Sequence, residues 1–255
     1  MQPLPHIMLA PNGARHTKSD HPNLPISIEE IAKTAKAGFL AGADGIHAHI
    51  RDKNGKHSLD TGIYRELLDH INHVVPEIEV QITTEAVGIY RAEQQIQLIE
   101  DIKPKLVSVA LREITNGDVG KKQYSKFYHS CLSDNIAVQH ILYDKMDLLN
   151  LINLRDQNIL PNGQLDLLFV LGKYGDVNSS KPQDLQVFLN ILTTHNVKAD
   201  WMVCAFGVNE IDCLVTAHKL GGKMRIGFEN SLWNKDGSLA TSNEQRVTDL
   251  IKAIN

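Results

Sequence analysis

The chain of 255 residues is poor in cysteine, carries little net charge and has no long hydrophobic run. Its three cysteines, Cys131, Cys204 and Cys213, are an odd and scattered set, which excludes a disulfide framework and a CxxC zinc motif and favours a reducing cytoplasm. A net charge of −4 gives no reason to expect nucleic acid or a membrane surface as a partner. No stretch reaches the ~18 apolar residues of a membrane span, and we expect no signal peptide at the amino terminus.

Low-complexity tracts and Ser/Gly linkers are also absent, which predicts a single domain over residues 1–255. A hydrophobic fraction of 42% is ordinary for a globular protein with a real core. Short apolar runs rich in Val and Ile alternate with amphipathic segments, and helix starts are marked by signals such as the capping box Ser27-x-x-Glu30. We predict eight strands, at His6–Ala10, Gly45–Ile50, Ile78–Thr83, Leu106–Ala110, Ile136–Leu142, Leu165–Leu171, Trp201–Ala205 and Lys223–Phe228.

Eight strand–helix pairs in about 250 residues predict an α/β fold, the (β/α)8 TIM barrel. The alternative is an open, doubly wound sheet. That fold usually has a Gly-rich phosphate-binding turn after its first strand, and Asn12-Gly13-Ala14 does not match G-x-G-x-x-G. The barrel is therefore favoured, and it gathers the C-terminal ends of all strands at one face, where barrel enzymes have their active sites.

Two histidines at the end of the second predicted strand are the strongest functional signal. Within Gly45–Ile50, His47 and His49 alternate and therefore face the same side, about 7 Å apart, where they can share one metal ion. Strands one, two and eight are neighbours in a closed barrel, so Glu229 can approach both imidazoles. Two imidazoles and one carboxylate leave an open coordination position, as in catalytic zinc sites, with iron(II) and manganese as alternatives. A metal-dependent hydrolase is a second interpretation, but it needs more ligands on the middle strands, where residues such as Gln139 stand.

Further polar residues follow the predicted strands at the same face. Arg225 shares a strand face with Gly227 and Glu229, and a glycine between two polar residues leaves room for a ligand. Asp52 either belongs to the site or stabilises its own loop. Residues 172–175 form a loop that either approaches a phosphate or pantetheine group or is only a flexible connection. The remaining candidates are Asn12, Arg15, Arg51, Thr83, Thr84, Glu85, Ser108, Arg112 and Asn230.

Several of these residues stand in ordered motifs that run through nearly the whole chain. They include Asn12-Gly13-Ala14-Arg15, His47-x-His49-x-Arg51-Asp52, Thr83-Thr84, Gly221-Gly222 and Arg225-Ile226-Gly227-Phe228-Glu229. Together they resemble the motifs of the β-keto acid cleavage enzymes, a family of zinc-dependent (β/α)8 barrels. The ordered set, rather than any single motif, carries the resemblance.

The resemblance implies an acyltransferase that converts a β-keto acid and acetyl-CoA into acetoacetate and a new acyl-CoA by Claisen and retro-Claisen chemistry. It implies Zn²⁺, or another divalent metal, bound by His47, His49 and Glu229, with acetyl-CoA as the co-substrate. It also implies a homo-oligomer, either a dimer or a tetramer, whose ligands are small molecules.

The same resemblance implies roles for residues around the metal. Arg225 matches the arginine that partners the catalytic acid. Thr83 matches a small hydroxyl residue in the substrate pocket, and Ser108 falls near another. Arg15 matches a position that helps select the substrate tail, and Asn12 is assigned to the same pocket.

One residue departs from the family pattern. Asn230 follows the metal-binding glutamate, where the family has an aspartate that is read as the base. An amide cannot accept a proton at a useful pKa, whereas a carboxylate can. Either another base takes over, such as Glu85, Asp52 or a metal-bound hydroxide, or the chain catalyses a related reaction, or it is a poorly active or non-catalytic member.

Overall fold

The computed structural model describes residues 3–176 and 178–255, and eight parallel strands close into a barrel. The barrel strands, in their order around the barrel, are β1 (Ile7–Leu9), β2 (Gly45–Ala48), β5 (Glu79–Thr83), β6 (Leu106–Ala110), β7 (Ala137–Leu142), β8 (Asp166–Leu171), β9 (Asp200–Ala205) and β10 (Lys223–Ile226). Strand β10 pairs with β1 and closes the ring. Two short strands, β3 (Ile50–Arg51) and β4 (His57–Ser58), form a separate antiparallel sheet. The predicted (β/α)8 barrel is confirmed, and the open sheet is excluded.

At least one helix follows each barrel strand. The helices are α1 (Ile28–Leu40), α2 (Thr61–Val74), α3 (Ala92–Ile102), α4 (Leu111–Thr115), α5 (Lys121–Ser133), α6 (Lys145–Asp156), α7 (Leu185–Thr194), α8 (Glu210–Lys219) and α9 (Asn243–Ile254), and a 3-10 turn at Pro182–Asp184 precedes α7. In the part of the chain that the structure describes, none of these helices combines the length and the apolarity that crossing a bilayer requires.

Polar side chains fix the starts of the helices where the sequence predicts them. The Ser27 hydroxyl accepts from the Glu30 amide, and the Glu30 carboxylate accepts from the Ser27 amide, so the capping box before α1 is formed. Asp144 caps α6 by accepting from the amides of Met146 and Asp147. Each cap satisfies amides that the helix leaves unpaired, and losing one typically costs about 1 kcal/mol.

Apolar side chains fill two layers, one inside the barrel and one between the strands and the helices. The inner layer includes Met8 on β1, Leu168 on β8 and Met202 on β9. The outer layer is larger and contains the apolar faces of the helices. Because both faces of each strand are covered, the strands are nearly continuous apolar runs, as in β8.

Three barrel strands, β1, β2 and β10, end earlier than the sequence pattern predicts, and the ends of β2 and β10 belong to the candidate site. Strand β2 ends at Ala48, so His49 follows the strand and is not part of it. Strand β10 ends before Gly227, whose φ of +145° turns the chain. A Cβ atom at Gly227 would lie 2.3 Å from the Ala10 carbonyl oxygen, so this turn requires glycine.

Candidate active site

His47, His49 and Glu229 meet at the C-terminal end of the barrel, where their ligand atoms form a compact triangle. Nε2 of His47 lies 3.0 Å from Nε2 of His49. Oε2 of Glu229 lies 3.5 Å from the His47 nitrogen and 3.6 Å from the His49 nitrogen. Within residues 3–176 and 178–255, no other three His, Cys, Asp or Glu side chains bring ligand atoms together in this way. The structure thus joins the three residues that the sequence predicts as metal ligands.

The triangle has the size and the chemistry that a small divalent cation requires. A tetrahedral zinc ion with bonds of about 2.0–2.1 Å places its ligand atoms roughly 3.3 Å apart, which is close to the three observed distances. Oε2 of Glu229 is buried and has no hydrogen-bond partner among the described residues. Burial is the main reason that the pKa of each imidazole lies well below its usual range, so both rings are neutral and offer a lone pair. The residues present therefore fit a metal ion.

Gln81 holds the first of these ligands. It lies beside His47 in register, on the neighbouring strand β5, and both side chains are buried. Nδ1 of His47 is 2.7 Å from Oε1 of Gln81. A histidine that donates from one ring nitrogen presents the other nitrogen to a metal, so this contact orients Nε2 toward the triangle.

Asn12 and Arg51 fix the loops around the second ligand. The Asn12 amide group donates to the His49 carbonyl at 2.9 Å, and its oxygen accepts from the His49 amide at 3.4 Å. The Arg51 guanidinium donates to the carbonyls of Gly13 and Ala14. The sequence assigns Asn12 to substrate binding, but the structure places its side chain behind His49 and outside the lining of the cavity described below.

Glu229 is fixed from two sides. Its second oxygen, Oε1, accepts from Nη2 of Arg225 at 3.1 Å. Gly13 packs against its side chain, and a Cβ atom at Gly13 would lie 2.7 Å from Cγ of Glu229. Burial raises the pKa of the Glu229 carboxyl, whereas the charges of Arg225 and Arg51 oppose that rise. The position of this carboxylate therefore depends on a close approach that only glycine permits.

A cavity of about 540 Å³ opens from the triangle, which is the size of a small-molecule site. Besides the three residues of the triangle, five of the predicted site residues line it: Arg15, Thr83, Glu85, Arg112 and Arg225. Ser108 lies behind this wall, and its hydroxyl donates to Oγ1 of Thr83 at 3.5 Å. The wall also includes Glu113, Tyr143, Tyr174, Cys204 and Phe206.

Glu85 is the carboxylate that faces this cavity beside the triangle. Its Oε2 lies 3.8 Å from Nδ1 of His49. Burial raises the pKa of Glu85 to about 7, and the charges of Glu229 and Glu113 add to the rise. Nε2 of His57 donates to the Glu85 carbonyl at 2.8 Å and so holds the backbone of this residue. A carboxyl group with such a pKa can exchange protons near neutral pH.

Comparison with known families decides what this barrel is. A family model described as beta-keto acid cleavage enzyme matches residues 6–255. The chain belongs to this family. The motif-based prediction of the family is thereby confirmed.

Two relatives and one solved structure illustrate the similarity. The 3-keto-5-aminohexanoate cleavage enzyme of Acetoanaerobium sticklandii is 24% identical, in an alignment that covers 94% of this chain and 88% of that protein. The 3-oxoadipate:acetyl-CoA acetyltransferase of Cupriavidus necator is 24% identical, in an alignment that covers 96% of this chain and 86% of that protein. The ternary complex of ObcA with a C4-CoA adduct and oxalate superposes with a TM-score of 0.71 at 14% identity. The superposition covers 91% of this chain and 63% of the ObcA chain, and it shows a shared fold.

Asn230, which the motif resemblance predicts to depart from the pattern of this β-keto acid cleavage enzyme family, does not line the cavity that opens from the triangle. It lines a smaller cavity of about 150 Å³ together with His16, Tyr174 and Trp233. Both polar atoms of its side chain are buried and have no partner within the two described ranges. Asn230 is therefore not among the residues that line the larger cavity, although Tyr174 lines both cavities.

Two further candidates, Asp52 and Arg112, use their charged groups in contacts within the protein. The Asp52 carboxylate accepts from two amides of the turn between β3 and β4, at 2.8 and 2.9 Å. Arg112 lines the cavity, but its guanidinium pairs with Asp144 and Asp147, at 2.6 Å in each case. Asp52 is therefore a turn residue, and the charge of Arg112 is neutralised within the protein.

Sequence reasoning missed the buried polar residues that hold the site. Gln81 is a polar residue inside an apolar strand, and this signal could have marked it. Glu210 accepts from the Gly227 amide at 3.2 Å and pairs with Nη2 of Arg246 at 2.5 Å. No local pattern marks Glu210, Gly227 and Arg246 as partners, because helices α8 and α9 meet the end of β10 only after the barrel closes.

Proposed function

We propose that the chain is a metal-dependent acyltransferase that converts a β-keto acid and acetyl-CoA into acetoacetate and a new acyl-CoA. The bond between C2 and C3 of the β-keto acid breaks, C2 joins the acetyl group, and CoA passes to the released acyl group. One observation carries the proposal: the unpartnered oxygen of Glu229 faces Nε2 of both His47 and His49 at the end of a substrate-sized cavity. Membership of the family supports the assignment.

His47, His49 and Glu229 would hold the ion, and two imidazoles with one carboxylate suit zinc best. When bound, the ion would supply Lewis-acid polarisation of the keto group. Arg225 lies beside this set, and its Nε and Nη1 are buried without a hydrogen-bond partner in the part of the chain that is described. A buried guanidinium N–H without a partner can donate to a carboxylate oxygen, so we assign Arg225 to the carboxylate of the β-keto acid.

We assign proton removal from C2 to Glu85. The carbon between the keto group and the carboxylate must lose a proton before it attacks the acetyl thioester. Glu85 lines the cavity beside His49, whereas Asn230 lies in another cavity and Asp52 caps a turn. Thr83 lines the same wall, and we assign its hydroxyl to a substrate oxygen, with Ser108 in support behind it.

Arg15 indicates which substrate tail the cavity accepts. It lines the cavity, and its Cζ lies 5.4 Å from the centre of the Tyr174 ring. A guanidinium that stacks on an aromatic ring keeps its N–H edge available for a carboxylate. We infer that β-keto acids with an anionic tail are preferred, and one relative is named for such an acid, 3-oxoadipate.

The experiment is to incubate zinc-loaded protein with acetyl-CoA and β-keto acids of matched length that carry anionic, neutral or cationic tails. Mass spectrometry should detect a new acyl-CoA, and its yield should be highest with the anionic tail. Chelation of the zinc should abolish its formation, and added zinc should restore it.

Glu85→Gln should lower the rate about 10²- to 10⁴-fold while zinc content stays the same. Arg15→Met should reduce only the preference for the anionic tail. Formation of no acyl-CoA from any acid would refute the proposal, and hydrolysis of esters without CoA would favour the metal hydrolase.

A further inference from the structure

We propose that Gln81 is a positioning residue that fixes the tautomer of His47, and that Gln139 fixes Gln81 in turn. The three side chains form a relay across the interior of the barrel, from β2 through β5 to β7, and all three are buried. The relay deepens the proposed function, on which its relevance to the metal rests.

The far end of the relay sets its direction. Nε2 of Gln139 lies 3.4 Å from the carbonyl oxygen of Leu167 and 3.7 Å from the sulfur of Met202. Both atoms can only accept a hydrogen bond, so the Gln139 amide must turn its nitrogen toward them and its oxygen away. That oxygen lies 2.9 Å from Nε2 of Gln81.

The orientation of the Gln139 amide determines that of the Gln81 amide, which in turn determines the tautomer of His47. Because its nitrogen donates to Gln139, its oxygen faces Nδ1 of His47, at 2.7 Å. An amide oxygen only accepts, so Nδ1 of His47 must carry the proton and Nε2 must carry a lone pair. His47 is therefore prepared to bind a metal without first losing a proton from Nε2. Nδ1 of His49 has no comparable partner among the described residues, so the relay acts on one ligand only.

The relay predicts that Gln139, which does not contact the triangle, determines which ring nitrogen of His47 carries the proton. In Gln139→Leu, the Gln81 amide loses its acceptor and is free to turn its nitrogen toward His47. Nδ1 of His47 would then accept, and the proton would move to Nε2, where it blocks the metal. Gln81→Leu removes the acceptor altogether, and loss of such a partner typically weakens metal binding about 10- to 100-fold.

The test combines ¹⁵N NMR of the histidine rings in zinc-free protein with zinc affinity from competition against a chelator. In the unmodified protein we expect His47 to be protonated at Nδ1, with its signals assigned through His47→Gln. Gln81→Leu and Gln139→Leu should both populate the Nε2-protonated form and weaken zinc binding. The matched control is Gln95→Leu, which removes another buried amide, one that donates to the Thr84 carbonyl and the Glu113 carboxylate. It should leave both readouts unchanged.

The outcomes separate the relay from the proposed function. If His47 carries its proton on Nε2, or if Gln139→Leu changes neither its ring signals nor zinc affinity, the relay is refuted even in an active enzyme. If His47 is protonated at Nδ1 and both leucine variants populate the Nε2-protonated form, but the unmodified protein does not bind zinc, the proposed metal function fails and the relay stands. Should Gln81→Leu not fold, Gln139→Leu still decides, because it leaves His47 and Gln81 in place.

Discussion

Replacing Arg246 by methionine should destabilise the protein strongly and more at high pH than at low pH. Arg246 and Glu210 form an ion pair in which both side chains are almost completely buried. The second oxygen of Glu210 accepts from the Gly227 amide, two residues before Glu229, the proposed metal ligand. Arg246→Met leaves the carboxylate buried without its counter-ion, and breaking a buried pair in this way typically costs about 3–5 kcal/mol. For a chain of this size the loss corresponds to roughly 6–20 °C in Tm.

The pH dependence follows from the direction of the pKa shift of Glu210. Burial raises its pKa to about 7, and the charge of Arg246 opposes that rise, with a smaller contribution from Arg225. Without Arg246 the pKa of Glu210 rises further above its value in the unfolded chain. The folded state then favours the protonated form, which needs no counter-ion. The deficit of Arg246→Met should therefore be smallest at pH 5 and should grow as the pH rises above about 7, so that it is larger at pH 8.

Thermal unfolding of the purified variants at pH 5 and pH 8 measures this effect. Glu210→Gln/Arg246→Met should recover much of the loss at pH 8, because a neutral amide still accepts from Gly227 and carries no charge. Arg65→Met is the matched control, since it removes an exposed arginine that donates to the Asp101 carbonyl, and it should change Tm little. An equal deficit at both pH values would show that lost packing, rather than an unpaired charge, destabilises Arg246→Met.

Three further predictions concern single side chains. Asn230→Asp should not raise the acyl-transfer rate, because the residue lies outside the metal cavity, and a gain in turnover would show that the chain had lost its base. Val87→Gly should raise the free energy of unfolding in urea by about 1 kcal/mol, since Val87 has a φ of +44°, in the left-handed region. Burial raises the pKa of Asp166 to about 6, so the folded state is penalised as this carboxyl ionises. Asp166→Asn should be about 2–3 kcal/mol more stable than the unmodified protein above pH 6 and equal to it below pH 4, and a constant difference would contradict the cause.

The barrel could be predicted from the sequence because its signals are local. Alternating apolar runs and caps such as Ser27 and Asp144 report on neighbouring residues, and the structure forms both caps. The ends of the strands could not be predicted in the same way. Strand β2 stops at Ala48 because the side chain of Asn12 takes both backbone groups of His49, and this contact joins residues 37 positions apart.

The site shows the same limit. His47, His49 and Glu229 could be named because their chemistry is conspicuous and the barrel brings strands one, two and eight together. The residues that orient them could not be named. Gln139 and the Glu210–Arg246 pair act through contacts that exist only once the barrel has closed, and an isolated amide or ion pair has no diagnostic spacing. The sequence assigns Asn12 to the substrate for a related reason: a polar loop residue resembles a ligand contact, whereas its partners in the structure, such as the His49 backbone, lie far away in the sequence.

The origin of the three proposed metal ligands has a thermodynamic consequence. His47 lies in β2 and His49 directly follows that strand, whereas Glu229 follows the last strand, and β10 reaches them only by pairing with β1. An ion that binds all three side chains therefore binds the closed barrel and not the unfolded chain. At a free zinc concentration 100-fold above its Kd, such binding adds about 2.7 kcal/mol to the free energy of unfolding, or roughly 5–11 °C in Tm. Glu229→Gln should abolish most of this shift, whereas the unmodified protein should show it with zinc and lose it with a chelator. A zinc-dependent shift that survives in Glu229→Gln would place the ion elsewhere and would separate metal binding from closure of the barrel.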